Sequence, residues 1–221
     1  MTPVLSLIAQ PMAQSQHFDK VRLYCFSPGP FLKNRDPIQL VADQIRGGAD
    51  VIQLREKQLS KKDRLALGLE IRELTRREGV LFIVNDDVDL AYILDADGVH
   101  LGQDDMPIQN ARVLMGNRII GLSTHSITQV EDAVLAGADY IGVGPIFGTA
   151  TKSDAEPVVG LELLGHIQGS CPIPYVAIGG ITSKNIADVV SVGCRRVAVI
   201  SDILLAPNIE KRCRTLRNHL V

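Results

Sequence analysis

From Val21 onward the chain alternates short apolar runs with longer amphipathic stretches, a pattern that predicts strands separated by helices. The apolar runs are Arg22-Phe26, Val51-Leu54, Val80-Val84, Gly98-Leu101, Ile119-Leu122, Tyr140-Val143, Pro174-Ile178 and Arg196-Ile200. The clearest helical stretch is Ser60 to Glu78, where Leu65, Leu69 and Leu74 mark an apolar stripe among Lys, Arg and Glu. Strands that alternate with helices form a parallel sheet wrapped by those helices. About eight units with short connections predict an α/β chain built as a single (β/α)8 TIM barrel rather than as two small domains.

A weak repeat supports this. Gly48-Ala49-Asp50-Val51-Ile52, Asp95-Ala96-Asp97-Gly98-Val99, Gly137-Ala138-Asp139-Tyr140-Ile141 and Gly193-Cys194-Arg195-Arg196-Val197 share one shape, a helix end, a polar turn residue and a strand. Asp50, Asp97 and Asp139 therefore fall at the N-terminal ends of strands, the stability face of a barrel, and are expected to be structural.

The opposite strand ends differ. They carry Arg55, Glu56 and Lys57, then Asn85 and Asp86, then Gly102 to Asp105, then Ser123-Thr124-His125, then Gly144 to Lys152, then Gly179-Gly180-Ile181, and finally Ser201. Asp86 and Asp105 lie beyond different strands, yet a barrel points both into one mouth, and two carboxylates there suggest Mg²⁺ held together with substrate phosphate. Each also has a plainer reading as a helix N-cap, with Asp87 and Asp104 as neighbours able to take that role. Gly179 and Gly180, before a helix expected near Thr182, and Ser201, opening the final helix, form an anion seat after the last two strands. Arg55, Lys57 and Lys152 are too many cations for one monophosphate and point to a second, more highly charged group. His100 lies within a strand and reads as a packed core residue, whereas His125 lies in the mouth. Nothing arranges a nucleophile, base and orienting acid.

Composition narrows the function class. The net charge of -2 with no basic stripe argues against nucleic acid, and no apolar run is long enough to span a membrane. The four cysteines have no metal-binding spacing and read as reduced thiols, which favours a cytoplasmic setting. Residues 1–20 have no sustained period and are expected to be a mobile extension before a catalytic domain at 21–221; the patch Pro3 to Ala9 lacks the basic flank of a secretory leader.

Gln53-Leu54-Arg55-Glu56-Lys57, Asn85-Asp86, Gly98 to Asp105, Gly121 to His125, Gly144 to Phe147 with Thr149 to Lys152, Ala177 to Ile181, and Val199-Ile200-Ser201 occur in that order. Together they closely resemble the thiamine-phosphate synthase family from about Tyr24 to Leu205. The resemblance implies a Mg²⁺-assisted transferase that joins hydroxymethylpyrimidine diphosphate to a thiazole phosphate, carboxylated or not, and releases diphosphate. Carried over by motif, Gln53, Leu54, Arg55, Glu56, Lys57, Asn85, Ser123 and Lys152 would hold the pyrimidine diphosphate, with Ser123 and Lys152 closest to the chemistry. Thr149, Ala150, Thr151, Gly180, Ile200 and Ser201 would hold the thiazole phosphate, and Asp86 and Asp105 the metal. The partners implied are these small molecules, with a homodimer left open. Gly148 stands where the family generally has Pro, and a looser, lid-like loop from Phe147 to Ala155 is expected. The related thiazole tautomerase, which handles only the thiazole phosphate, and a non-catalytic phosphate sensor are the alternatives.

Overall fold

The computed structural model describes residues 18–148 and 157–221. The first seventeen residues, and with them most of the expected extension, lie outside the described residues, as do Thr149, Ala150, Thr151 and Lys152.

The strands are β1 (Leu23–Phe26), β2 (Val51–Leu54), β3 (Leu81–Asn85), β4 (Gly98–Leu101), β5 (Ile119–Thr124), β6 (Tyr140–Val143), β7 (Tyr175–Ile178) and β8 (Val197–Ala198). All pair in parallel in chain order, and β8 returns to β1, so the sheet closes into a barrel. Around it run α1 (Pro37–Arg46), α2 (Lys61–Glu78), α3 (Val88–Ile93), α4 (Ile108–Met115), α5 (Ile127–Ala136), α6 (Gly160–Ile167), α7 (Ile186–Ser191), α8 (Ser201–Leu204) and α9 (Ile209–Asn218). None of the described helices is long and apolar enough to cross a membrane.

Successive strand residues face opposite sides, and this splits the core in two. Tyr24, Phe26, Val51, Ile83, Ile119, Tyr140, Val176 and Ala198 pack inside the barrel. Leu23, Cys25, Ile52, Leu54, Phe82, Val84, Val99 and Leu101 belong to the larger layer shared with the helices. Burial on both sides is why the strands read as nearly unbroken apolar runs.

The three turn aspartates stitch the lower rim. Asp50 accepts from the backbone N–H groups of Arg22 (2.8 Å) and Leu23 (3.0 Å), and pairs with Arg217. Asp97 accepts from Phe82 N–H (2.7 Å) and pairs with Arg72; Asp139 accepts from Ile120 N–H (2.8 Å) and pairs with Arg112. In each case an aspartate after one helix satisfies the start of the preceding strand, while an arginine from α2, α4 or α9 neutralises it.

Three details depart from the pattern read in the sequence. Ladder pairing in β8 stops at Ala198, although Val199 stays buried, and β5 runs on to Thr124. In α2 the buried face is Gly68, Ile71, Leu74 and Thr75, while Leu69 is 55% exposed. Gly68 lets that helix approach closely, since a Cβ there would lie 2.5 Å from Leu94 Cδ1; the face is thus centred on a residue that no hydrophobic count registers. Finally, Phe18 is fully buried inside the barrel, although residues 18–20 carry no periodic signal.

Candidate active site in the barrel mouth

The upper strand ends gather the polar residues expected there. Ser27, just past β1, accepts through Oγ from Arg55 N–H (2.9 Å), and Gly29 N–H donates to Glu56 Oε1 (2.9 Å). Glu56 is 8% exposed, so its carboxylate ties the β1 loop to the β2 loop. Leu54, 2% exposed, packs into the helix layer beneath the mouth. Lys57, Arg64, Asn85 and Asp86 line a small hollow beside the ends of β2 and β3.

Asp86 sits just beyond β3 with φ +62°, a left-handed conformation that aspartate tolerates better than most residues. Its backbone N–H donates to His100 O (2.9 Å), which anchors it to β4. Asp105, beyond β4, accepts from Gly102 N–H through Oδ2 (2.6 Å). The two carboxylates meet. Burial and the adjoining Asp105 push Asp86 up to about 6, against the opposing pull of Lys57 and Arg55. Two touching carboxylates with cations beside them form a donor set that fits a divalent ion. Among the described residues no third His, Cys, Asp or Glu joins them, so the remaining ligands would be substrate oxygens and water, the usual environment of Mg²⁺. Asp87, not Asp86, occupies the N-cap of α3, and its carboxylate pairs with Arg64 and Lys61.

The last two strands end in a second polar corner. Gly179 and Gly180 have φ of +99° and +63°. A Cβ on Gly180 would lie 2.6 Å from Gly148 O and 2.8 Å from Phe147 Cβ, so the glycine lets the loops after β6 and β7 close on each other. Phe147 N–H donates to Gly179 O (3.0 Å), and Ser183 N–H reaches Asp202 Oδ2 (3.0 Å), joining this corner to the β8 loop. Two expectations need correction. The helix after Gly180 begins at Ile186, because Thr182 N–H donates instead to Asn185 Oδ1 (2.7 Å) in a preceding turn. Ser201 opens α8, a single turn that ends at Leu204 ahead of Pro207, and α9 is the final helix.

Both histidines are tied by hydrogen bonds. His125 bonds the Gly144 carbonyl through Nδ1, which commits its ring to holding the β6 loop. His100, expected to be a packed core residue, packs against Tyr140 and also carries two hydrogen bonds, Nδ1 to Tyr140 Oη (2.8 Å) and Nε2 to Ser123 Oγ (3.0 Å). Tyr140 Oη is 3.1 Å from Tyr24 Oη, and Gln53 Nε2 donates to Tyr24 Oη (2.8 Å). A polar thread therefore crosses the apolar interior and emerges at Ser123. Tyr24 and Tyr140 were not singled out from sequence, and His100 was read only as a core residue; the available signal was four polar side chains, Gln53 included, at inward-facing positions of β1, β2, β4 and β6.

A family model described as thiamine monophosphate synthase matches residues 23–203. A thiamine-phosphate synthase of Chloroflexus aurantiacus is 46% identical over 91% of this chain and 93% of its own length. One from Pelotomaculum thermopropionicum is 48% identical over 88% and 90%. The solved thiamine phosphate pyrophosphorylase from Pyrococcus furiosus superposes with a TM-score of 0.82 at 38% identity, covering 90% of this chain and 95% of that one.

Proposed function

Because this chain belongs to the thiamine monophosphate synthase family, we propose that its barrel mouth joins hydroxymethylpyrimidine diphosphate to a thiazole phosphate, giving thiamine phosphate and diphosphate. The observation that carries this assignment is the Asp86–Asp105 carboxylate pair with Arg55 and Lys57 beside it. A site for one phosphate monoester has no need of paired carboxylates and two cations together; a diphosphate with its metal does.

In this reading Arg55, Lys57 and Asn85 bind and orient the diphosphate, Gln53 and Ser123 hold the pyrimidine, and Gly180, Ile200 and Ser201 hold the thiazole phosphate. Thr149, Thr151 and Lys152 complete the two subsites by resemblance. Mg²⁺ held by Asp86 and Asp105 would neutralise charge on the leaving diphosphate. The methylene C–O bond breaks with its electron pair going to diphosphate, and the ring amino group supports the resulting cation. The thiazole nitrogen then forms the new C–N bond with its lone pair. No protein nucleophile takes part in this step, because the attacking lone pair belongs to the thiazole nitrogen. Arg55 and Lys57 act by fixed charge on an oxygen that becomes more negative in the transition state, and two anion subsites in one mouth position the nitrogen against the carbon.

The test is to incubate the protein with both substrates and Mg²⁺ and to follow phosphorus species by NMR. Formation of thiamine phosphate and diphosphate in equal amounts supports the reading. Rearrangement of a thiazole phosphate with no diphosphate released would make the chain a tautomerase instead.

A further inference from the structure

Ser123 stands at the end of a chain of hydrogen bonds that runs through the half-buried His100 to three buried side chains. Gln53 is 2% exposed, Tyr24 2% and Tyr140 1%. The phenols stay protonated, since burial raises both well above the ordinary tyrosine range. Each phenol thus has one proton to give. The barrel makes room for these rings. A Cβ on Gly121 would lie 2.2 Å from Tyr140 Cζ and 2.6 Å from His100 Nδ1, and one on Gly142 would lie 3.3 Å from His100 Cε1. Glycine at position 121 is therefore a steric condition for the thread, and Gly142 eases the fit of the His100 ring. From below, Phe18 stacks on Tyr140 with centroids 4.0 Å apart and planes inclined by 19°. Phe18 is held in turn by the backbone around it: its carbonyl accepts from Val21 N–H (3.1 Å), and the carbonyl of Asp19 accepts from Arg22 (2.9 Å) and Arg196 (3.2 Å).

The direction of the chain follows from its first donor. Gln53 gives an amide proton to Tyr24 Oη; within these contacts both phenol protons then find an acceptor in one arrangement only, Tyr24 giving its proton to Tyr140 and Tyr140 giving its own to His100 Nδ1. Nδ1 is then bare and Nε2 carries the proton, which it donates to Ser123 Oγ. With its oxygen already accepting, Ser123 has its own hydroxyl proton left to donate, and no acceptor for it is present among the described residues.

We infer that Tyr24 and Tyr140, steadied by Phe18, are positioning residues: they hold His100 as the Nε2–H tautomer, so that Ser123 offers the pyrimidine substrate a hydrogen-bond donor and Gln53 offers it an amide oxygen. This rests on the assignment of Gln53 and Ser123 to the pyrimidine above. An aminopyrimidine has a matching edge, an amino group that donates beside a ring nitrogen that accepts. The barrel interior thereby sets which edge the mouth can read, and a pyrimidine carrying a carbonyl in place of the amino group would face acceptor against acceptor.

The test reads the tautomer directly. In protein labelled with ¹⁵N-histidine, free of substrate and at a pH where the ring is neutral, His100 is expected to give the Nε2–H pattern. Tyr140→Phe keeps the stack on Phe18 but has no proton to give, so the Nε2–H preference is expected to weaken, and kcat/KM for the pyrimidine diphosphate to fall about fivefold or more with KM for the thiazole phosphate unchanged. Tyr24→Phe, one step further away, is the second variant and is expected to shift both readouts less. An Nδ1–H pattern in the wild-type protein would overturn the inference by reversing the chain. So would a Tyr140→Phe protein with unaltered tautomer and kinetics. A protein with the expected tautomer but no condensing activity would refute the functional assignment while leaving the directed chain standing.

Discussion

Asp86 and Asp105 bring their carboxylates into contact although they follow different strands, and burial together with that contact raises Asp86 to about 6 from an ordinary 3.8. Between those values the folded protein holds a proton that the unfolded chain has released. Stability of the metal-free protein therefore falls as pH rises through that window, and the penalty persists above it. Asp86→Asn, uncharged throughout, is expected to melt several degrees above the wild type near neutral pH in the presence of a chelator, with the advantage shrinking toward pH about 4. Thermal melts of both proteins across that range check the sign; an Asp86→Asn protein less stable at neutral pH would contradict it.

Proton and metal compete for the same oxygens, so Mg²⁺ should bind the complex with pyrimidine diphosphate more weakly as pH falls below about 6. Calorimetric titration of Mg²⁺ at several pH values measures this. A flat affinity would detach the metal from Asp86.

The two polar corners should separate kinetically. Lys57→Ala is expected to raise KM for the pyrimidine diphosphate about tenfold or more while leaving that for the thiazole phosphate within about twofold, and Ser201→Ala the reverse. Initial rates with each substrate varied in turn make the comparison. Ser201 is a cleaner probe than Gly180, where any side chain would collide with Gly148 and Phe147.

The lower rim predicts a loss of stability without loss of chemistry. Asp50→Ala removes two backbone hydrogen bonds and the partner of Arg217, and should cost about 2 to 3 kcal/mol in denaturant titration. The activity per folded molecule should stay close to wild type, because Asp50 lies at the opposite end of the barrel from the mouth.

Strand and rim were legible in the sequence for a physical reason. Strands such as β2 and β3 are covered on both sides, with Val51 and Ile83 facing the barrel interior and Ile52 and Val84 facing the helices, which leaves an unmistakable apolar run, and the Ala-Asp turns repeat because each closes the same helix-to-strand corner. The mouth was legible because charge at the C-terminal end of a buried strand has no packing role. The interior thread was not. Tyr24 and Tyr140 look like core aromatics, and only the neighbouring glycines, Gly121 and Gly142, betray that inward space is reserved for large polar rings. Phe18 escaped notice because a single side chain plugging a barrel has no period, and Leu69 misled because Gly68 beside it carries the close contact.

The most direct measurement of the central claim is the condensation rate of Asp86→Ala and Asp105→Ala at saturating Mg²⁺, with Asp104→Ala as the control. If the pair holds the metal against the departing diphosphate, each variant should lose on the order of 100-fold or more in kcat, while Asp104→Ala stays within about threefold of wild type. Rates within about threefold for Asp86→Ala and Asp105→Ala would contradict the account and return both residues to a structural role.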